Sequence, residues 1–432
     1  MIPLARTITS FGLSQYPTIY SSISYLIGSV ISFAKTEMNR VMVSYVGEKK
    51  HFDGFEGAFV FPTQAGVKKR GIGAIDFASL YPSLIQCLNA SPETFIGKLL
   101  IHYCDSTGTP LPVNEVNELY FDIFDDEIAK APNIIGFSLK YPDNRRQSIS
   151  LDKLREWIKK HGIYTANNTI FRKHSEKVGV ISKWCEYFYG QRKATKKKML
   201  AIFHELHDPN KHFTEEEIRI KETQRENYDS RQGAMKNMIN SIYGQMGSAF
   251  SPIANLDIAQ SITRTGRFCN TNASMFVLKH FQENYDPNFK GYRIKVYNKD
   301  KDPELWEKSK WIDVAAVGGD TDSQFIDLSP VTNSMIQKYS LPEKIDDWTQ
   351  EKRQELWNTM QTFTDDRVNV FVRDLVHEKF QTENQNRLTY ELEYMVDVGL
   401  YESMKHYFVR KIFEEGDAVN KVKVTGISLK QN

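Results

Sequence analysis

Gly71-Ile72-Gly73-Ala74-Ile75-Asp76-Phe77-Ala78-Ser79-Leu80-Tyr81-Pro82-Ser83-Leu84-Ile85 is the stretch on which the reading of this sequence turns. It opens apolar, through Ile72, Ala74 and Ile75, and breaks at Asp76. Pro82 follows soon after, tolerated in the first turn of a helix and not deeper inside one. The pattern predicts a strand that delivers a carboxylate to a strand-to-helix junction. A second stretch, Gly318-Gly319-Asp320-Thr321-Asp322-Ser323, predicts a tight turn between apolar strands over 313–317 and 324–328. Two places in the chain thus put carboxylates at the ends of strands.

Working outward, composition bounds the rest. The 432 residues carry 56 Lys and Arg against 54 Asp and Glu, a net charge of +2. With 41% hydrophobic and 25% charged residues, the chain has the balance of a globular protein with a real core, and collagen-like, mucin-like and disordered classes are excluded. At roughly 100–200 residues per domain, two to four structural units are expected. Near-neutrality removes any argument from a blanket basic surface, so charge must be read locally. Cys87, Cys104, Cys185 and Cys269 are widely spaced, without a C-x-x-C pair, against a zinc ribbon or a disulfide scaffold and in favour of a reducing compartment. The uncharged run over 19–34 is short for a span and has helical periodicity, so it reads as an amphipathic helix; no signal peptide and no membrane association are expected.

Further along, 163–180 reads as a small hairpin region around Asn167-Asn168. Long helices follow over 182–207 and from the capping box Thr214-Glu215-Glu216-Glu217 to Tyr243, where Gly244 is expected to end the second. The short polar joint makes them an antiparallel hairpin. A helix over 257–281, a helix over 345–381 and a β-rich stretch over 389–429 complete the pattern. Strands and helices mix without βαβ regularity, which predicts an α+β fold with a helical protrusion.

Charge gathers on that protrusion. Between Lys183 and Lys198 stand six Lys or Arg residues and one Glu. Arg192 and Lys196 are i and i+4 on the first helix, and Lys236, Asn240, Tyr243 and Gly244 share a face of the second. Carboxylates converging at a sheet edge suit hard cations: Mg²⁺ takes two or three carboxylates plus substrate phosphates, and two such ions about 3.5–4 Å apart clamp the attacking and leaving oxygens of a phosphoryl transfer.

Asp76-Phe77-Ala78-Ser79-Leu80-Tyr81-Pro82-Ser83 and Gly319-Asp320-Thr321-Asp322-Ser323 resemble motifs A and C of the family B DNA polymerases, and Lys236-Asn237-Met238-Ile239-Asn240-Ser241-Ile242-Tyr243-Gly244 resembles their motif B, K-x-x-x-N-S-x-Y-G, all three in the family's order. Gln191-Arg192-Lys193-Ala194-Thr195-Lys196 is similar to the first fingers helix, Gly57-Ala58-Phe59-Val60 to the Y-x-G-G/A element with Phe55 in place of Tyr, and Met404-Lys405-His406-Tyr407 to the K-K-R-Y block. Asn89-Ala90-Ser91-Pro92-Glu93-Thr94 and Lys421-Val422-Lys423-Val424-Thr425-Gly426 most resemble enzymes of large tailed bacteriophages. The resemblance covers about residues 55–427.

This resemblance implies a family B palm, an antiparallel sheet with packed helices, and a helical-hairpin fingers subdomain: a remnant or linker over 1–54, palm over 55–180 and 247–432, and fingers over 181–246. It implies an enzyme, a DNA-directed DNA polymerase that uses two Mg²⁺ ions to join a dNTP to a primer 3′-hydroxyl. Asp76 and Asp322 would be the main metal ligands, Asp320 a less direct one and Glu393 a peripheral carboxylate. Ser79, Leu80 and Tyr81 would meet the triphosphate and sugar, Tyr81 blocking a ribose 2′-hydroxyl. Arg192, Lys196 and Lys236 would aim at the triphosphate, with Asn240, Tyr243 and Gly244 under the nascent pair. Lys405, Tyr407 and Gly57 would touch the primer-template duplex.

Departures shape the rest. Gly318 stands where Tyr is usual, and Met404 and His406 replace basic residues. The first 55 or so residues, whose acids are Glu37, Glu48 and Asp53, present no proofreading carboxylate set, and the sequence stops where a thumb would follow. The expectation is the catalytic chain of a split polymerase, in the cytoplasm (of a bacterial host if viral), with exonuclease and thumb on separate chains. A catalytically weak, polymerase-like scaffold in a replication complex is the alternative.

Overall fold

The computed structural model of the chain describes residues 22–39, 57, 59–113, 119–206, 208, 210–248, 251–300 and 302–426. Phe55 and Ala58, together with Glu48 and Asp53, lie outside them. The architecture is α+β, helices packed on antiparallel sheets, as the pattern predicts.

Helix α1 (Ser22–Met38) precedes strands β1 (Gly66–Lys68) and β2 (Ile72–Phe77) and helix α2 (Leu80–Leu88). Then come β3 (Phe95–Tyr103), β4 (Ile134–Lys140), β5 (Arg146–Ser148), α3 (Leu151–His161), β6 (Gly162–Tyr164) and β7 (Thr169–Arg172). The long pair α4 (Val180–Leu206) and α5 (Glu215–Met246) leads to α6 (Leu256–Asn284). Next are β8 (Tyr292–Lys295), α7 (Pro303–Lys308), β9 (Trp311–Val314), β10 (Ala316–Gly319), β11 (Ser323–Asp327) and α8 (Ser329–Tyr339). Helices α9 (Gln350–Phe363) and α10 (Asn369–Phe380) precede β12 (Tyr390–Ser403), β13 (His406–Glu414) and β14 (Asp417–Thr425).

The main sheet runs β10-β11-β2-β12-β13-β14, with β1 also on β12; a second sheet runs β5-β4-β3-β7-β6, and β8-β9 form a third. Every pairing is antiparallel. Helix α6 is the spine of the core: Ile258, Ile262, Cys269, Val277 and Phe281 are buried along it, and so are the polar Gln260, Arg264, Arg267, Asn270 and Ser274. Among the described residues no helix is long and apolar enough to cross a membrane, and all four cysteines are free thiols.

The strand-to-helix junction forms as its sequence predicts, by way of a left-handed residue. Ser79 caps α2 at φ 60°, a conformation costing a non-glycine residue about 1–3 kcal/mol. It turns the chain from strand to helix within two residues. The capping box also forms: the Glu217 amide donates to Thr214 Oγ1 at 3.3 Å, and the Thr214 amide donates to Glu217 Oε2 at 2.8 Å.

Four expectations change. Gly244 does not end α5; buried Ile242 and Met246 carry its packed face onward, and Gly247 is the cap. That burial outweighs the roughly 1 kcal/mol a helical glycine costs. The strand expected over 313–317 is two strands in different sheets. It divides at Ala315, whose amide bonds the Ser274 carbonyl of α6 at 3.3 Å. The helix expected over 345–381 begins at the Thr349 cap and contains a π-turn at Thr364–Val368. Finally, the hairpin around Asn168 is only one end of the second sheet.

Candidate active site

Register brings the acids together. Asp76, next to last in β2, lies opposite Ser323 on one side and Glu391 on the other. The Phe77 amide donates to the Asp322 carbonyl at 2.9 Å, so the end of β2 is tied to the acidic turn through the backbone. The turn itself needs glycine at position 319, where a Cβ would stand 2.3 Å from the Ser323 carbonyl oxygen.

Behind the turn is a buried polar network. Asn270 of α6 donates to the Thr321 carbonyl at 3.1 Å and accepts the Tyr390 hydroxyl. Gln324 donates to the Asn270 carbonyl at 3.1 Å and to the Tyr390 hydroxyl at 3.0 Å. Phe77 stacks on Tyr390 with centroids 3.8 Å apart. These groups hold Asp76 and Asp322 from below, and the hydrogen bonds they share offset much of the cost of placing them in a core, although Gln324 Oε1 has no partner among the described residues. The reading of motifs missed all three. Gln324, at the start of a buried strand, carried the one sequence signal, an amide beside an apolar run; Asn270 is one of several buried polar residues of α6, and Tyr390 reads as an ordinary strand aromatic.

Electrostatics follow from this placement. Burial drives the Asp76 carboxyl up to about 8, helped by the charges of Asp322 and Glu393 and opposed by Lys236. Asp322 is raised as well, by burial first, with Asp320 adding to it and Lys236 again opposing. Lys236 of α5 is therefore the cation that both carboxylates feel. Glu393 is exposed and sits at a slip in register between Leu392 and Tyr394, a bulge of the kind that re-aims a side chain.

The other expected residues fall around this centre. Leu80 and Tyr81 open α2 after Ser79. The Tyr81 and Tyr243 rings lie 4.3 Å apart at 32°, joining α2 to α5, and burial raises both phenols. Lys236, Asn240 and Gly244 are exposed along the same side of α5. A Cβ at Gly244 would meet nothing within 4 Å. On α4, Arg192 Nε donates to Gln232 Oε1 at 3.3 Å, and Lys196 Nζ lies 3.8 Å from Glu415 Oε1. Lys193, Lys197 and Lys198 face solvent.

Lys405, at φ 62° between β12 and β13, pairs with Asp320 at 3.0 Å. Tyr407 is 9% exposed and packs edge-on to Phe325, centroids 5.3 Å apart; its ring belongs to an aromatic cluster with Tyr401. Gly57 accepts a hydrogen bond on its carbonyl from Arg267 Nη2 at 3.1 Å. Arg267, buried on α6 and 4.3 Å from the Tyr297 ring, is a further contributor that the motifs did not announce. Gly318 has room: a Cβ there would come no nearer than 3.5 Å to Thr63.

An acidic strand edge faced by a cationic helical hairpin is a layout suited to phosphoryl transfer. The sequence model of DNA polymerase family B matches residues 16–354, and the chain belongs to that family. Over 311 residues, 69% of this chain and 21% of the relative, it is 26% identical to the DNA polymerase beta of African swine fever virus (isolate Pig/Kenya/KEN-50/1950). It is 27% identical over 213 residues, 49% of this chain and 17% of the relative, to a DNA polymerase of Paramecium bursaria Chlorella virus NY2A. It is 26% identical over 279 residues, 64% of this chain and 19% of the relative, to a DNA polymerase catalytic subunit of Rhesus cytomegalovirus (strain 68-1). The chain thus spans about a fifth of the length of these curated relatives. None of the three comes from a bacteriophage, the source that two short blocks had suggested.

Proposed function

We propose that the chain is the palm-and-fingers portion of a DNA-directed DNA polymerase, joining the α-phosphate of a dNTP to a primer 3′-hydroxyl with release of pyrophosphate. The observation that carries this reading is the meeting of Asp76 and Asp322 at one sheet edge under the charge of Lys236. In this reading the palm comprises 55–180 and 247–432, and α4 with α5 forms the fingers over 181–246.

The donor set fits Mg²⁺. The acids that meet are hard oxygen ligands, and burial lifts Asp76 and Asp322, a penalty on their ionised forms that a cation would relieve. Among the described residues no group of three or more His, Cys, Asp or Glu side chains forms a ready-made metal cage. Asp76 and Asp322 would hold it, with Asp320 nearby. Bound Mg²⁺ would lower the pKa of the attacking hydroxyl and neutralise charge on the phosphates.

The protein's own groups do the rest. Free amides at the start of α2, at Ser79, Leu80 and Tyr81, favour a phosphate through unpaired donors and the helix dipole. Lys236, Arg192 and Lys196 offset charge that grows on the departing pyrophosphate. The adjoining Tyr81 and Tyr243 rings form a floor for sugar and base, and the Tyr81 ring would stand where a 2′-hydroxyl needs space. Asn240, Tyr243 and the open space above Gly244 accept the nascent pair. Lys405 exchanges Asp320 for minor-groove acceptors, which all base pairs share, so the contact tests shape and not sequence. Gly57 and Tyr407 line the path of the duplex, Tyr407 through the aromatic cluster that supports the Lys405 turn.

Mg²⁺-dependent primer extension tests the reading, with dNTPs against NTPs and with Asp322→Ala beside the parent. Extension by the parent from dNTPs alone, lost in the variant, is the expected result; unchanged activity in Asp322→Ala refutes the ligand assignment. The same assay with and without co-purifying chains tests whether exonuclease and thumb functions reach this chain from other polypeptides.

A further inference from the structure

Strands β8 and β9 form a small sheet apart from the two larger ones, in the stretch joining α6 to β10. Their register sets Arg293 opposite Asp313 and Lys295 opposite Trp311. Alternation buries Ile294 and Val314 on one face. The other face carries Arg293, Lys295, Trp311 and Asp313. Trp311 is 52% exposed, the one exposed tryptophan among the described residues.

Its neighbours are aromatic and cationic. Trp306 of α7 stands edge-on to it, centroids 5.8 Å apart at 75°. Lys295 Nζ donates to the Trp306 carbonyl at 2.9 Å and lies 4.4 Å from the Trp306 ring and 5.5 Å from the Trp311 ring. The Arg293 guanidinium is 5.9 Å from the Trp311 ring, and exposed Lys310 adjoins it in sequence. A Lys–Trp pair across two strands steadies a hairpin by itself, and that accounts for Lys295 and the half-buried Trp306. It does not account for leaving half of the larger partner's surface in water beside further cations.

We propose that this face is a stacking platform for single-stranded DNA: a base lies on Trp311, and a flanking phosphate meets Arg293. The chemistry is that of sequence-tolerant single-strand binding, an aromatic face for any base and cations for the backbone. Charge favours a nucleic acid over a protein partner, since Arg293 and Lys295 share the strand face with the single acid Asp313. Position connects it to the site. Strand β9 passes through Ala315 into β10, whose end carries Asp320, and Tyr297, just after β8, packs on the Arg267 that holds Gly57. The inference rests on the polymerase reading only in taking the bound strand to be unpaired template.

The test is a tryptophan-fluorescence titration of the full chain with oligo(dT) of about twelve nucleotides, without Mg²⁺ or dNTP. Quenching is expected. Trp311→Leu keeps apolar bulk beside Lys295 and should bind about ten-fold more weakly with most of the quenching gone, as loss of one stacked base requires. Trp311→Tyr should stay near the parent in affinity. Arg293→Gln should reduce the salt dependence by about 0.7 in the log–log slope, one phosphate contact fewer. Parent-like binding by Trp311→Leu, with its melting temperature unchanged, overturns the proposal. So does equal quenching by heparin, which has charge and no bases. Quenching that persists in a chain inactive in primer extension supports the platform and counts only against the catalytic reading.

Discussion

Replacing Asp76 by Asn should cost the chain its chemistry and, in the absence of metal, make its fold more stable. The carboxyl is lifted from the ordinary aspartate range to about 8 by burial and by its acidic neighbours. A group raised in the native state favours the fold only while it is protonated in both states. Native stability therefore falls as pH rises from the aspartate range towards 8 and is level beyond it. At 1.36 kcal/mol per pKa unit, the full shift is a penalty of about 5 kcal/mol near pH 7.5. An effective interior dielectric near 20, and the coupling of its titration to that of Asp322, reduce that to roughly 1–2 kcal/mol. For a chain of this size that is about 1–2 °C in melting temperature. Scanning calorimetry of both proteins across pH 4 to 8.5, with and without excess Mg²⁺, is the assay. Without metal, Asp76→Asn should melt higher near pH 7.5 and level with the parent near pH 4. With Mg²⁺, the parent should rise and the variant should not, because only a native state that binds the ion gains from it. A variant that melts lower than the parent by the same margin at every pH would refute both the strain and its cause.

Other consequences are more local. Asn270→Leu leaves the Thr321 carbonyl without this donor and takes the acceptor from the Tyr390 hydroxyl, which keeps the hydrogen bond from Gln324; at about 1–3 kcal/mol for a buried group left unpaired, it should lower the melting temperature by about 1–3 °C and reduce kcat at least ten-fold with little change in KM for dNTP. Gly319→Ala drives a Cβ into the Ser323 carbonyl, whereas Gly318→Ala, though buried, meets Thr63 and Phe325 only at ordinary contact distance, so primer extension should collapse in the first and stay within about two-fold in the second, whose added methyl forces no neighbour to move. Glu414 is held down to about 2 by hydrogen bonds from Lys411 and then Lys421. Its contribution, about 1 kcal/mol once screening at the 32% exposed Glu414 side chain is allowed for, is present above the ordinary glutamate range and lost as pH falls towards 2. Denaturant melts of Glu414→Gln should accordingly differ from the parent at pH 7 and converge with it near pH 2.

Sequence legibility followed the range of the interactions. The junction at Asp76 and the Thr214 capping box are local devices, readable because the residues that make them are neighbours in the chain. The α+β class was readable from the same mixture of periods. Strand β3 was not, because it is buried on both faces and shows no alternation; even its lysine is inside, Lys98 pairing with Asp257 at 3.1 Å. Asn270, Gln324 and Tyr390 lie far apart in sequence and meet only once α6 packs on the sheet, so no spacing rule joins them. The end of α5 was misplaced for a related reason, a local glycine preference overruled by the burial of Ile242 and Met246.

The near-zero net charge takes on a meaning at the site. Two of the cations proposed to meet substrate are already partnered in the free chain, Lys405 by Asp320 at 3.0 Å and Lys196 by Glu415 at 3.8 Å. All four side chains are at least two-fifths exposed, and pairs of that kind contribute well under about 1 kcal/mol. Exchanging them for phosphate or a base edge therefore costs little, and the side chains stay extended toward the gap that substrate would fill. The buried acids differ: burial penalises their charge, and what offsets it is a backbone hydrogen bond at Asp322 and the charge of Lys236 at both. The site is thus poised asymmetrically, with weakly held cations on the side proposed for triphosphate and primer, and strained carboxylates on the side proposed for the metal. Binding of Mg²⁺ with its nucleotide would relieve the strain at Asp76 and Asp322 in the same event that frees Asp320 and Glu415 from their lysines.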